Sequence, residues 1–195
     1  DANGCTISAP VTVSQPSGVT ATLGGQSNVS CAGGSNGAVT ITTAGGTTPY
    51  QYNRGAGNQV SNIFTGLTAG AYIVTVTDAN LCTSNVPFTI TAPSAITATV
   101  SSNTSVTCNG ASTGAFTITA GGGTGALSYN RGTGAQASGT FASLTAGNYV
   151  VTITDANACS ITQAVTVTQA SRITTTLSSS ASVTCAGGSN GTFTV

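Results

Sequence analysis

Leu67-Thr-Ala-Gly70-Ala-Tyr72-Ile-Val74-Thr-Val76-Thr-Asp78-Ala-Asn80-Leu-Cys82 is the stretch that decides the fold. From Tyr72 onward, Tyr72, Val74 and Val76 alternate with Ile73, Thr75 and Thr77. A period of two places successive side chains on opposite faces of a strand, with one face apolar. Branching at Cβ in Val, Ile and Thr favours the same pleated geometry. Asp78-Ala-Asn80 then supplies a turn signal that ends the strand.

The stretch returns, with twelve of its sixteen residues identical, as Leu144-Thr-Ala-Gly147-Asn-Tyr149-Val-Val-Thr-Ile-Thr-Asp155-Ala-Asn157-Ala-Cys159, 77 positions later. Cys5, Cys82 and Cys159 keep that spacing, as do Cys31, Cys108 and Cys185. Tyr52-Asn53-Arg54-Gly55 likewise returns as Tyr129-Asn130-Arg131-Gly132, with no insertion or deletion anywhere. A fixed period of this kind marks an array of supersecondary units. Module boundaries fall near Ser17/Gly18, Ser94/Ala95 and Ser171/Arg172, the first two marked by Pro16 and Pro93. Residues 1–17 are read as the last strand of a preceding module. Residues 18–94 and 95–171 are two full modules, and 172–195 the first strands of a following one.

Alternating runs also cover Val19–Leu23, Val39–Ile41 and Phe88–Ile90, with counterparts at Ile96–Val100, Phe116–Ile118 and Val165–Val167. Glycine clusters at 33–37, 45–46 and 55–57 separate them. Each module thus offers about seven short strands, the pattern of an immunoglobulin-like or fibronectin-III-like β-sandwich. The fold class is all-β, in tandem sandwich repeats. Leu67-x-x-Gly70-x-Tyr72 and Leu144-x-x-Gly147-x-Tyr149 resemble a tyrosine corner, which assigns these six residues a structural role. Linkers of almost no length imply a semi-rigid rod.

Composition excludes several function classes. Charged residues make up 3% of the chain, and His, Lys, Glu, Met and Trp are absent. General acid–base chemistry has no group titrating near neutrality, and no base is present to activate a serine. The expectation is that the chain is not an enzyme and carries no cofactor. It lacks the basic footprint of a nucleic-acid binder and any apolar run long enough to span a membrane.

Six cysteines in a Thr-rich chain read as extracellular disulfides, and their spacing does not suit zinc. Three pairings respect the repeat. Cys31–Cys82 and Cys108–Cys159 lie within modules. Cys5–Cys31, Cys82–Cys108 and Cys159–Cys185 span each junction. Cys31–Cys159 joins one module to the next. Chain entropy gives about 3.5 to 5 kcal/mol across these loop lengths, too narrow a spread to choose. Strand order favours Cys31–Cys159. In a sandwich, Cys31 sits between the first two strands and Cys82 after the sixth, at opposite poles and beyond disulfide reach. Cys5, Cys82, Cys108 and Cys185 then pair outside residues 1–195.

The remaining candidates are modest. Asp78 and Asp155, with Asn80 and Asn157, are weak calcium candidates, because one carboxylate per site is poor for that ion. An Asx-turn is the preferred reading. Arg54 and Arg131 are potential partners of those acids. Tyr50, Tyr52 and Tyr129 offer a sugar-stacking surface, although Tyr52 and Tyr129 fit a core strand better. The sequons at Asn28, Asn103 and Asn190 do not recur at one repeat position.

The order of landmarks resembles the SprB repeat, a module of very long cell-surface adhesins of gliding and related Bacteroidota. The matching elements are Cys-x-Gly-x-x-x-Gly at 31–37 and 108–114, and Gly45-Gly46-Thr-Thr-Pro49-Tyr50-Gln-Tyr52. Leu67-x-x-Gly70-x-Tyr72 and Val74-Thr-Val-Thr-Asp78-Ala-Asn-x-Cys82 complete the set. Two features depart from it: Asn-Arg follows Tyr52 and Tyr129 where a Trp-containing segment is expected, and Ala126-Leu127 replaces Pro49-Tyr50. The resemblance implies type IX secretion and a place at the cell surface in gliding or adhesion. The expected role is a structural segment of a surface filament or adhesin stalk. Its partners are further copies of the repeat in cis, possible neighbouring chains of a filament, and an unidentified surface or glycan ligand. The runner-up reading is a set of tandem carbohydrate-binding modules in a secreted protein.

Overall fold

The computed structural model describes residues 2–195; Asp1, the acid at the repeat position of Asp78, lies outside them. The chain forms two compact units, Asp1–Ala95 and Ile96–Val195. Among the described residues there is no helix, and so none long and apolar enough to cross a membrane.

The first unit holds β1 (Thr20–Ser27), β2 (Gly37–Ala44), β3 (Gln51–Asn53), β4 (Asn58–Gln59), β5 (Ile63–Leu67), β6 (Gly70–Thr77) and β7 (Thr83–Ile90). One sheet runs β1-β2-β5 and the other β4-β3-β6-β7. Three strands against four, with every ladder antiparallel, is a fibronectin-III-like sandwich. The inner faces meet in one cluster. Val39 and Ile41 of β2 and Phe64 and Leu67 of β5 face Tyr52, Val74, Val76, Val86, Phe88 and Ile90 of the other sheet. Tyr52 lies in this core rather than on a sugar-stacking surface. The alternation that began at Tyr72 is thereby explained: Val74 and Val76 are fully buried, while Ile73 is 57% exposed. Burying each such side chain contributes roughly 1.5–3 kcal/mol.

The second unit holds β8 (Thr97–Thr104), β9 (Gly114–Gly121), β10 (Ser128–Asn130), β11 (Ala135–Gln136), β12 (Thr140–Leu144), β13 (Gly147–Thr154) and β14 (Ser160–Val167). Its sheets are β12-β9-β8 and β11-β10-β13-β14. Each strand bound follows its counterpart in the first unit by 77 residues, as Thr97 follows Thr20 and Val167 follows Ile90. Phe116, Ile118, Phe141, Val151 and Ile153 centre its core, with Tyr129 buried among them. A short hairpin, β15 (Ser179–Ala181) with β16 (Thr192–Thr194), completes the strands.

Two details differ from the alternation read in the sequence. Leu23, expected on the inner face, is 43% exposed. The pairing of β1 with β2 slips between Leu23 and Gly25, a β-bulge that ends the simple alternation. The same slip occurs between Val100 and Ser102. Val11 and Val13, read as a strand, are exposed and unassigned. The equivalent β7 is held by its ladder with β6, whereas residues 2–17 join no ladder among the described residues.

Gly37 shows why its position takes no side chain. A Cβ there would stand 2.8 Å from both Ile90 Cγ2 and Leu67 O. Gly114 repeats the constraint against Val167 Cγ1 at 2.6 Å and Leu144 O at 2.9 Å.

Candidate functional site

Each sandwich has two poles. β1 begins, β2 ends and β6 turns into β7 at one of them, which the aspartate organises. Asp78 is 4% exposed. Its Oδ2 accepts the Thr47 N–H at 2.9 Å, and its Oδ1 accepts the N–H groups of Asn80 at 2.9 Å and Cys82 at 2.8 Å. The backbone adds Asp78 N–H to Cys82 O and Ala79 N–H to Thr47 O. Gly46, at φ +64°, leaves room for the carboxylate, since a Cβ there would lie 2.7 Å from Asp78 Oδ2.

The second unit repeats the arrangement. Asp155 takes Thr124 N–H at 2.8 Å, Asn157 N–H at 2.9 Å and Cys159 N–H at 2.9 Å. The Thr47 hydrogen bond is the largest influence on Asp78 and, with Cys82 and Asn80, holds its carboxyl below the ordinary value against the cost of burial. For Asp155 burial is the largest single influence and pushes upward. The hydrogen bonds from Thr124, Cys159 and Asn157 together outweigh it, so this carboxyl too is lowered. With three N–H groups converging on each carboxylate, these acids act as turn braces. Among the described residues no group of three His, Cys, Asp or Glu side chains gathers to hold a metal.

The opposite pole carries the loop between β1 and β2. Gly34 N–H closes a turn onto Cys31 O, and Asn36 Oδ1 accepts Ser30 N–H at 3.0 Å. Cys31 and Cys82 are therefore separated by about the length of an eight-residue strand, roughly 25 Å at 3.3 Å per residue. Cys31 and Cys159 are each disulfide-bonded, whereas Cys82, Cys108 and Cys185 carry exposed thiols.

Among the described residues, Arg54 and Arg131 lie against aromatic rings rather than against Asp78 and Asp155. The Arg54 guanidinium carbon lies 5.2 Å from the Tyr72 ring centroid, and Tyr72 stacks on Phe88 at 5.5 Å and 23°. Arg131 lies 5.7 Å from Tyr149 and 5.9 Å from Phe141. Arg54 Nε is buried without a hydrogen-bond partner. Beside Arg54, a groove of about 910 Å³ runs over the outer face of β6 and β7, lined by Asn58, Tyr72, Ile73, Thr75 and Pro87 among others. Within it, one face of Tyr72 is covered by the guanidinium.

Both tyrosines close their corners. Tyr72 O–H donates to Thr68 O at 3.0 Å and Tyr149 O–H to Thr145 O at 2.8 Å. Leu67 and Leu144 are buried beneath them, and Gly70 and Gly147 open the strands that follow. Tyr50 O–H donates to Gly45 O at 2.6 Å. All three sequon asparagines are engaged structurally, Asn190 by accepting Thr184 N–H and donating to Thr184 Oγ1. Asn28 Oδ1 accepts Thr91 N–H and a Gln26 Nε2 hydrogen, and Asn103 Nδ2 donates to Thr166 O. Sequence reasoning missed the Arg–Tyr stacking and this use of Asn28 and Asn103, because both link residues remote in the chain.

Comparison with solved structures finds the surface layer protein SbsC, domains 1–6, at 16% identity and a TM-score of 0.31, covering 87% of this chain and 30% of that one. A second SbsC structure, rSbsC(31–844), matches at 17% identity and 0.31, covering 82% and 28%. Sidekick-1 immunoglobulin domains 1–5 match at 12% identity and 0.25, covering 77% and 39%. The chain thus spans about a third of these structures or little more. No curated protein matches it. The family model described as the SprB repeat matches residues 24–57, from the bulge of β1 through the Arg54 turn. Those residues hold Cys31-x-Gly33-x-x-x-Gly37 and Gly45-Gly46-Thr-Thr-Pro49-Tyr50-Gln-Tyr52, so the match falls on motifs that carry the resemblance to the SprB repeat.

Proposed function

We propose that the chain is a structural segment of a long extracellular surface filament or adhesin stalk, in which the repeats provide reach. The observation that carries the reading is the path of the backbone through each sandwich. It enters at the aspartate pole with β1 and leaves at the opposite pole with β7, so each module extends the chain rather than turning it back. The SprB repeat at residues 24–57 supports a cell-surface setting. No catalytic role, cofactor or nucleic-acid partner is proposed. The partners are further copies of the repeat in cis and, in a filament, neighbouring chains. Type IX export and gliding or adhesion belong to the same proposal.

A Cys31–Cys159 bond between successive modules would stiffen such a stalk, with the other cysteines pairing in modules beyond. The disulfide-bonded state of Cys31 and Cys159 fits it, as does the distance between the poles of one sandwich. Electron micrographs of the native assembly test the stalk, which predicts rods with a regular axial repeat; compact particles would overturn it. Non-reducing peptide mass spectrometry tests the bond, and recovery of Cys31 linked to Cys82 would sink it. One observation favours the runner-up, carbohydrate binding: the groove beside Arg54. Binding of the two-module chain on a glycan array, lost in Arg54→Gln, would support that reading.

A further inference from the structure

The cross-links between β1 and β7 share one property. Ala21 N–H donates to Ser84 Oγ, Gln26 Nε2 to Thr89 O and Thr91 N–H to Asn28 Oδ1, each pair separated by 63 residues. In the second unit Asn103 Nδ2 reaches Thr166 O, Ser105 Oγ meets Thr168 Oγ1, and Val106 bridges Gln169 in parallel, again 63 apart. A constant separation means that the two strands run side by side in the same direction and in fixed register. Backbone bonds Val29 N–H to Thr91 O at 3.1 Å and Val106 N–H to Thr168 O at 2.8 Å close each seam. Val29 and Val106, 4% and 2% exposed, anchor it in the core.

Direction matters because of where the chain enters and leaves. Tension on a module draws the start of β1 toward one pole and the end of β7 toward the other. For parallel neighbours these pulls slide one strand along the other, so the seam is loaded in shear and its links resist together. An antiparallel pair joined by a turn at the loaded end would instead unzip one link at a time.

We propose that each module bears tensile load through this seam, β1 against β7 and β8 against β14. The links are chemically different in the two units: Gln26 stands where Asn103 does, and Asn28 where Ser105 does. The geometry is kept while the side chains change, as a mechanical role for the position requires. The biological meaning rests on the stalk reading, but the force response belongs to the module and is measured independently of it.

The test is constant-force pulling of the full chain from its two ends, with thiols reduced, so that each trace contains two unfolding steps. Asn103→Ala with Ser105→Ala weakens one seam and leaves the first unit as an internal reference. The expected result is one step whose unfolding rate rises about fivefold per link removed, the equivalent of a net hydrogen bond of about 1 kcal/mol. The control is Thr117→Ala, which removes the Thr117–Thr140 hydroxyl contact between β9 and β12, outside the seam. It should lower the urea midpoint while leaving both unfolding steps at wild-type rate. Equal unfolding rates under load for control and seam variants, or a wild-type rate in the seam variant, would overturn the proposal. Absence of rods in micrographs would count against the stalk and leave this result standing.

Discussion

Thr47 N–H and Asp78 Oδ2 meet at 2.9 Å across 31 residues of chain, and the bond ties the turn after β2 to the turn after β6. Those turns belong to different sheets, so one carboxylate holds the two layers together at the pole. Thr124 and Asp155 do the same at 2.8 Å.

This bond sets the pH dependence of stability. Both carboxyls are lowered in the folded state, while an unfolded Asp titrates near about 3.9. The unfolded chain therefore binds more protons in the window below that value. The contribution to stability is fully present above about pH 4 and is lost as pH falls through the depressed native values. With no His or Glu, stability should stay flat between about pH 5 and 7. Urea midpoints measured from pH 2 to 7 check this. Asp78→Asn with Asp155→Asn should lower the plateau and flatten the acid limb, because an amide cannot accept all three N–H groups. An acid limb unchanged in that double variant would contradict the assignment.

Gly37→Ala should destabilise the first unit by about 1–3 kcal/mol, since the new methyl meets the Leu67 carbonyl, which is backbone and cannot swing away. Gly25→Ala is the matched comparison, with nothing within 4 Å of its Cβ, and should be neutral or slightly stabilising. Denaturant midpoints of the two variants separate crowding from a general intolerance of glycine replacement.

Phe116→Ala should cost about 3–5 kcal/mol. The ring is fully buried and packs 5.1 Å from Phe141 and 5.8 Å from Tyr149. Its counterpart in the first unit is Val39, so the two cores fill the same position differently. Hydrogen exchange should accelerate across β9, β12 and β13; unchanged protection there would contradict the packing role.

What the sequence made legible follows from what is local. Alternation at Tyr72–Thr77 and at Val39–Ile41 identifies strands, and their buried faces match it, because burial on one side of a sheet imposes a period of two. Leu23 escaped that logic because its exposure depends on a bulge against Thr40–Thr42, set by pairing rather than by β1 alone. The Asx-turn at Asp78 was readable from Asp-Ala-Asn, but the Thr47 donor was not, since the two turns meet only after the sheets pack. The seam was hidden for a further reason. Gln26 and Asn103 do the same work with different side chains, so comparing the repeats shows divergence where the structure shows equivalence.

Arg54 and Tyr72 supply the last prediction. The guanidinium carbon lies 5.2 Å from the ring centroid in a half-buried setting, and the ring is fixed on its other contacts by Phe88 and by the hydroxyl bond to Thr68. Tyr72→Phe keeps the ring, the cation and the stacking, and loses the hydroxyl bond, so it should cost about 1 kcal/mol. Tyr72→Leu removes the π face as well. In a double-mutant cycle with Arg54→Ala, Tyr72→Leu should show a coupling of about 0.5–1 kcal/mol that persists in high salt, since no ion pair is involved. Tyr72→Phe in the same cycle should show coupling close to zero, because Phe still offers its face to the cation. Equal coupling for the Leu and Phe variants would place the contact on the hydroxyl rather than the ring.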